Sequence, residues 1–175
     1  MRARLNFNPL FWFQALSLAS LCLLPIQSHA ITERIDDSAS PRSRVASQTV
    51  LSDQGQLLTN TAAATVVTLK FGRINYKLAT AKFIGKQARI YYVVPLAIAG
   101  LRSPVGLKVD WRGNGIFNNG QARPGERSLV WTGMVREAWL VEGLDVTMQV
   151  DLREIRLPPG VNFGFESYFE IETLP

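Results

Sequence analysis

Two segments near the C-terminal end alternate apolar and polar side chains with little interruption. Leu144, Val146, Met148, Val150 and Leu152 alternate with Asp145, Thr147, Gln149, Asp151 and Arg153. Phe163, Phe165, Phe169 and Ile171 alternate with Gly164, Glu166, Tyr168, Glu170 and Glu172, and Ser167 is the one small inward residue. A two-residue period puts one side of a strand in a core and the other in water.

Earlier segments repeat the pattern over shorter lengths. Thr65–Phe71 is rich in β-branched residues, Gly72 or Arg73 marks an expected turn, and Ile74-Asn75-Tyr76-Lys77-Leu78 alternates. Ala88–Val94 follows a break at Gly85-Lys86 and stops at Pro95; Tyr91 and Tyr92 within it must split across two faces. Val105, Leu107, Val109 and Trp111 share a face opposite Gly106, Lys108 and Asp110. In Arg127–Val135, Leu129 and Trp131 fall on one side, so Trp111 and Trp131 are both expected in the core. Turn signals stand at Gly100, Asn114-Gly115, Asn119-Gly120, Pro124-Gly125 and Pro158-Pro159-Gly160.

Strands with one apolar side must bury it against a second sheet or close into a barrel. The expected fold is all-β, an antiparallel immunoglobulin-like β-sandwich of about seven to nine strands, with a small β-barrel as runner-up.

The N-terminal part reads differently. Arg2 and Arg4 precede an apolar run from Leu10 to Leu24, Pro25 breaks it, and Ser28 and Ala30 supply small residues at a cleavage point. Residues 1–30 are therefore expected to be a cleavable signal peptide, and the protein to be exported to the periplasm, the cell surface or the medium. The apolar run is too short to cross a bilayer, so no membrane span is expected after cleavage. Cys22 follows Leu21, not the small residue that lipid attachment requires. Residues 31–64 are polar with no sustained period and read as a flexible arm; the sandwich is expected over 65–175.

Cleavage changes the composition. The chain's one Cys and one His, Cys22 and His29, both lie in the signal. So do two of the 19 Lys and Arg and none of the 14 Asp and Glu, which leaves 17 basic against 14 acidic side chains, or +3 in place of +5. That balance is too mild for a nucleic-acid binder. Without Cys or His there is no thiolate nucleophile, no Ser-His-Asp triad and no zinc site of the usual kind.

The stretch Asp110-Trp111-Arg112-Gly113-Asn114-Gly115-Ile116-Phe117-Asn118-Asn119-Gly120 is similar in composition to a Ca²⁺ loop, with Asp110, Asn114 and Asn118 as oxygen donors. It has one carboxylate, Arg112 stands where a ligand is needed, and no Glu closes it, so a hairpin connection explains it better and no metal is expected. Asp145 with Asp151, and Glu166 with Glu170 and Glu172, lie on the polar sides of core-forming strands and read as a solvated face, not as a catalytic pair. No Ser-x-x-Lys spacing and no phosphate loop is present in the exported part. No enzymatic activity and no cofactor is expected.

Arg123-Pro124-Gly125-Glu126-Arg127 reads as a charged hairpin tip, and Trp139 lies where no period sets its side. Contact residues are therefore sought at Arg112, Asn114, Asn118, Arg123 and Trp139. The expected function is that of a cell-surface structural or adhesive subunit, broadly like a pilus subunit, that self-assembles or joins a protein partner through strand edges. The alternative is a periplasmic or secreted module that binds a ligand, glycan or protein through the loops at 95–104, 112–126 and 154–162.

Overall fold

The computed structural model describes residues 30–41, 49–52, 55, 64–157, 159–160 and 163–174. Apart from Ala30, the segment read as a signal peptide lies outside these residues, as do 42–48, 53–54 and 56–63 of the segment read as an arm. The described residues form nine strands: β1 (Ile31–Arg34), β2 (Thr49–Ser52), β3 (Val66–Ala79), β4 (Gln87–Val93), β5 (Leu107–Gly113), β6 (Gly120–Ala122), β7 (Arg127–Met134), β8 (Trp139–Asp151) and β9 (Tyr168–Thr173). They make two antiparallel sheets, β1-β9-β4-β7 and β2-β3-β8-β5-β6, packed face to face as an all-β sandwich.

The core is built from the inward positions of both sheets, as the alternation predicts. Leu144, Val146 and Val150 of β8 meet Phe169 and Ile171 of β9, Ile90 and Tyr92 of β4, and Leu107, Val109 and Trp111 of β5. Its centre is aromatic. The ring of Tyr92 lies 4.5 Å from Trp111 and 5.3 Å from Phe169, and Tyr76 meets Phe169 edge-on at 4.9 Å. The Tyr92 hydroxyl is hydrogen-bonded to Ser167 Oγ at 2.6 Å, so its polar end is satisfied inside the core. Tyr91, on the other side of β4, carries the Arg127 guanidinium 3.6 Å from its ring.

Several local expectations are corrected by pairing. No turn interrupts Thr65–Leu78; β3 is one strand of 14 residues. The register against β8 shifts between Lys70 and Gly72, and Gly72 has φ 71°. One extra residue at this bulge moves the inward set from Val67 and Leu69 to Ile74, Tyr76 and Leu78. A second register shift faces Ile90 and Tyr91. Here Val130 is the extra residue and is fully buried, Leu129 is exposed opposite Tyr91, and Trp131 packs partly buried beside the core. Leu129 and Trp131 therefore do not share a face. Val105 falls in a 3-10 turn, Pro104–Gly106, and is exposed, whereas Leu107, Val109 and Trp111 are buried as expected. The alternation at 163–171 continues through the side chains, but only Tyr168–Thr173 is strand.

Within the segment read as an arm, β1 pairs with β9 from Ile31↔Thr173 to Arg34↔Glu170, and Ile35 is buried in the core. Its continuation runs along β3: Asp36 O accepts the Ala79 N–H at 2.9 Å and Ser40 Oγ accepts the Lys77 N–H at 2.9 Å. β2 pairs with β3 from Thr49↔Lys70 to Ser52↔Val67. Described parts of this segment thus supply one of the two outermost strands of each sheet.

Candidate functional site

The loop after β5 is organised by a residue far away in sequence. Glu142 of β8 is the one buried carboxylate among the described residues. Its Oε2 accepts the N–H groups of Ile116 and Phe117 at 2.6 and 3.0 Å, and Oε1 accepts that of Gly143 at 2.8 Å. A Cβ on Gly115 would lie 2.7 Å from Oε2, so only glycine lets the backbone approach. Asn114 Nδ2 donates to Asp145 at 2.8 Å, Asn118 N–H to Val130 O at 2.8 Å, and Trp111 Nε1 to Asn118 O at 3.2 Å.

The closing glutamate missing from the loop's own sequence is thus provided by β8, but its oxygens face amide donors. Among the described residues no three His, Cys, Asp or Glu side chains converge as a metal group would require. Asn114 and Asn118 hold the loop shut. Glu142 was legible only as the single charged residue in phase with Leu140, Leu144 and Val146.

A second loop cluster forms where residues 94–106, 123–126 and 152–157 meet. Gly125 N–H donates to Val94 O at 2.9 Å, Arg102 N–H to Glu154 O at 2.8 Å and Arg156 N–H to Gly100 O at 2.7 Å. Arg123 reaches the same cluster, its Nη1 donating to Val105 O at 2.8 Å. The cluster holds an open apolar groove of about 490 Å³, lined by Leu96, Ala97, Ile98, Leu101, Arg102 and Pro104. Leu96, Val105 and Leu157 stand out of it with 68%, 69% and 41% of their surface exposed. Arg123 therefore does not share a site with Asn114 and Asn118.

Arg112 and Trp139 lie on a third surface, the outer face of the five-stranded sheet. Arg112 and Arg73 both sit opposite Asp145 in the register, on either side of β8. Trp139 is at the far end of the same face, with Lys77 Nζ 4.6 Å from its ring.

The acidic residues of β9 lie on the outer face of the other sheet and are neutralised there. Arg127 pairs with Glu170 at 2.7 Å and Glu172 at 3.4 Å, and Arg89 with Glu172 at 3.6 Å. β9 is an inner strand covered by β1 and β4, not an edge. Asp151 is held below its ordinary value by hydrogen bonds from Arg153, and Asp36 by the Ser38 N–H; burial raises Tyr76 and Tyr92. These groups do not converge on a cleft. No helix among the described residues is long and apolar enough to cross a membrane. No protein-family model matches the chain, and neither a curated protein nor a solved structure matches it.

Proposed function

We propose that the protein is an exported, non-enzymatic binding module that recognises its partner through the loop cluster at 94–106, 123–126 and 152–157. The observation that carries this reading is the exposure of Leu96, which lines an apolar groove, together with that of Val105 and Leu157 on the adjoining loop segments. Loops on a rigid sandwich can present such side chains at little ordering cost, and concave apolar ground with a few polar groups suits a ligand or a protein anchor. Backbone hydrogen bonds tie the three loops to each other, so the surface is preformed.

The test is an array of glycans and peptides probed with the processed protein and with a Leu96→Ser/Val105→Ser/Leu157→Ser variant. Hits that the variant loses support the reading. Hits retained in full by a folded variant place recognition elsewhere.

A second reading, a structural or adhesive subunit joined through strand edges, is favoured by one feature. β1 is an outer strand of four exposed residues, short enough to be exchanged with a neighbouring copy. Light scattering after size-exclusion chromatography separates the two: a monomer supports the module, and a ladder lost on deleting residues 31–41 supports the subunit.

A further inference from the structure

The outer face of the five-stranded sheet has a charge pattern that neither the loop cluster nor the core explains. Outward positions on β3 are Thr68 and Lys70 before the bulge and Arg73, Asn75 and Lys77 after it. Those on β5 are Lys108, Asp110 and Arg112, and those on β8 run from Trp139 through Val141, Gly143, Asp145 and Thr147 to Gln149. Lys108 is paired with Asp110 at 2.8 Å, and Asp145 accepts the Asn114 amide. Lys70, Arg73, Lys77 and Arg112 make no ion pair with any described residue; Asp145 lies in register between Arg73 and Arg112, so the five cations and two carboxylates of this face leave an excess of three positive charges.

Their arrangement is linear. Lys70, Arg73 and Lys77 follow β3 over about 20 Å at the usual strand rise. The bulge keeps them on one side: if the same residues alternated without it, the odd positions 73 and 77 would point inward whenever the even position 70 pointed outward. Gly143 makes room in the middle of the row. A Cβ there would collide with the Arg73 guanidinium, which lies across the strand in the space left free. Trp139 closes the row, half exposed, its ring held by Lys77, and Val141 beside it is 66% exposed.

We infer that this face is a second binding surface, for a linear acidic polysaccharide lying along β3. Cations in a row match carboxylates spaced along an extended chain. The uncharged side chains between them, Thr68, Asn75, Thr147 and Gln149, can exchange hydrogen bonds with hydroxyls, and the exposed indole offers an apolar platform to a sugar ring. An open sheet face crossed by a row of cations suits an extended polymer better than a compact ligand.

The test is equilibrium binding of the processed protein to alginate, a polyuronate, with neutral dextran and random-sequence duplex DNA as comparisons. Alginate binding that weakens as salt is raised, with no dextran binding, is the expected result. Arg73→Glu/Lys77→Glu should weaken it about tenfold or more, and Arg102→Glu, in the loop cluster, less than about twofold. Trp139→Ala should cost about threefold and leave the salt dependence unchanged. Thermal melts check that each variant folds; should the double reversal not fold, Lys70→Gln/Arg112→Gln is measured in its place.

No alginate binding, equal binding to dextran, tighter binding to DNA, or equal losses for reversals on the face and in the loop cluster would each overturn the inference.

Discussion

The carboxylate of Glu142 on β8 accepts the backbone N–H of Phe117, 25 positions earlier in the chain, at 3.0 Å, with both residues buried. The same carboxylate takes two further amides, from Ile116 and Gly143. Glu142→Ala leaves these donors without an acceptor and is expected to cost about 3 kcal/mol or more. Glu142→Gln keeps one acceptor oxygen, turns an NH₂ towards a donor, and should cost about 1–2 kcal/mol. Urea denaturation of both variants measures the order; equal losses would mean that the packing of the side chain matters and its oxygens do not.

The bulge in β3 requires a left-handed backbone at Gly72. Gly72→Ala is expected to lose about 1–2 kcal/mol, because a Cβ is strained in that region. Deleting Phe71 tests the register. It removes the extra residue but leaves Lys70 opposite Thr147 and Gly72 opposite Val146, so Tyr76 and Leu78 stay inward and the melt should stay cooperative; loss of the cooperative melt would refute this pairing.

Ile35 fills a core position immediately after β1. Ile35→Ala should destabilise the domain by about 2–4 kcal/mol. If residues 31–34 pair with β9 in solution as they do in the structure, their amides exchange slowly with deuterium, and the substitution speeds that exchange before the rest of the sheet opens. Fast exchange in the unmodified protein would refute the pairing.

Burial pushes the Tyr92 phenol well above its ordinary 10.0, aided by its neighbour Tyr76, which burial raises as well. Below pH 10 both phenols keep their protons whether the chain is folded or not, and stability does not depend on them. Above it the unfolded chain releases protons that the folded chain retains, so stability falls as pH rises towards the folded values. Tyr92→Phe loses the bond to Ser167, about 1 kcal/mol at neutral pH, but should fall less steeply as the pH rises above about 10. Parallel slopes for the two proteins would exclude Tyr92 as the cause.

Much of the sandwich was legible in the chain. Alternation is a local consequence of the pleat, so Leu144, Val146 and Val150, and Phe169 with Ile171, announce their buried side without reference to any partner. Trp111 falls in the core for the same reason, and the glycine and proline dipeptides mark most of the turns between strands.

What failed is what depends on a neighbour. A bulge is defined against the opposite strand, so Gly72 looks like a turn and Val130 like an outward residue until β8 and β4 are in place. Glu142 looks like a surface charge until the loop from β5 brings amides to it. Arg123 and Arg112 look like members of one loop cluster, and pairing sends them to different surfaces. The sequence by itself determined which side of most strands is apolar, because that is set by residues two apart. Only the tertiary structure decided register, phase across the bulges and the alignment of Lys70, Arg73 and Lys77, because these are set by contacts between strands far apart in the chain.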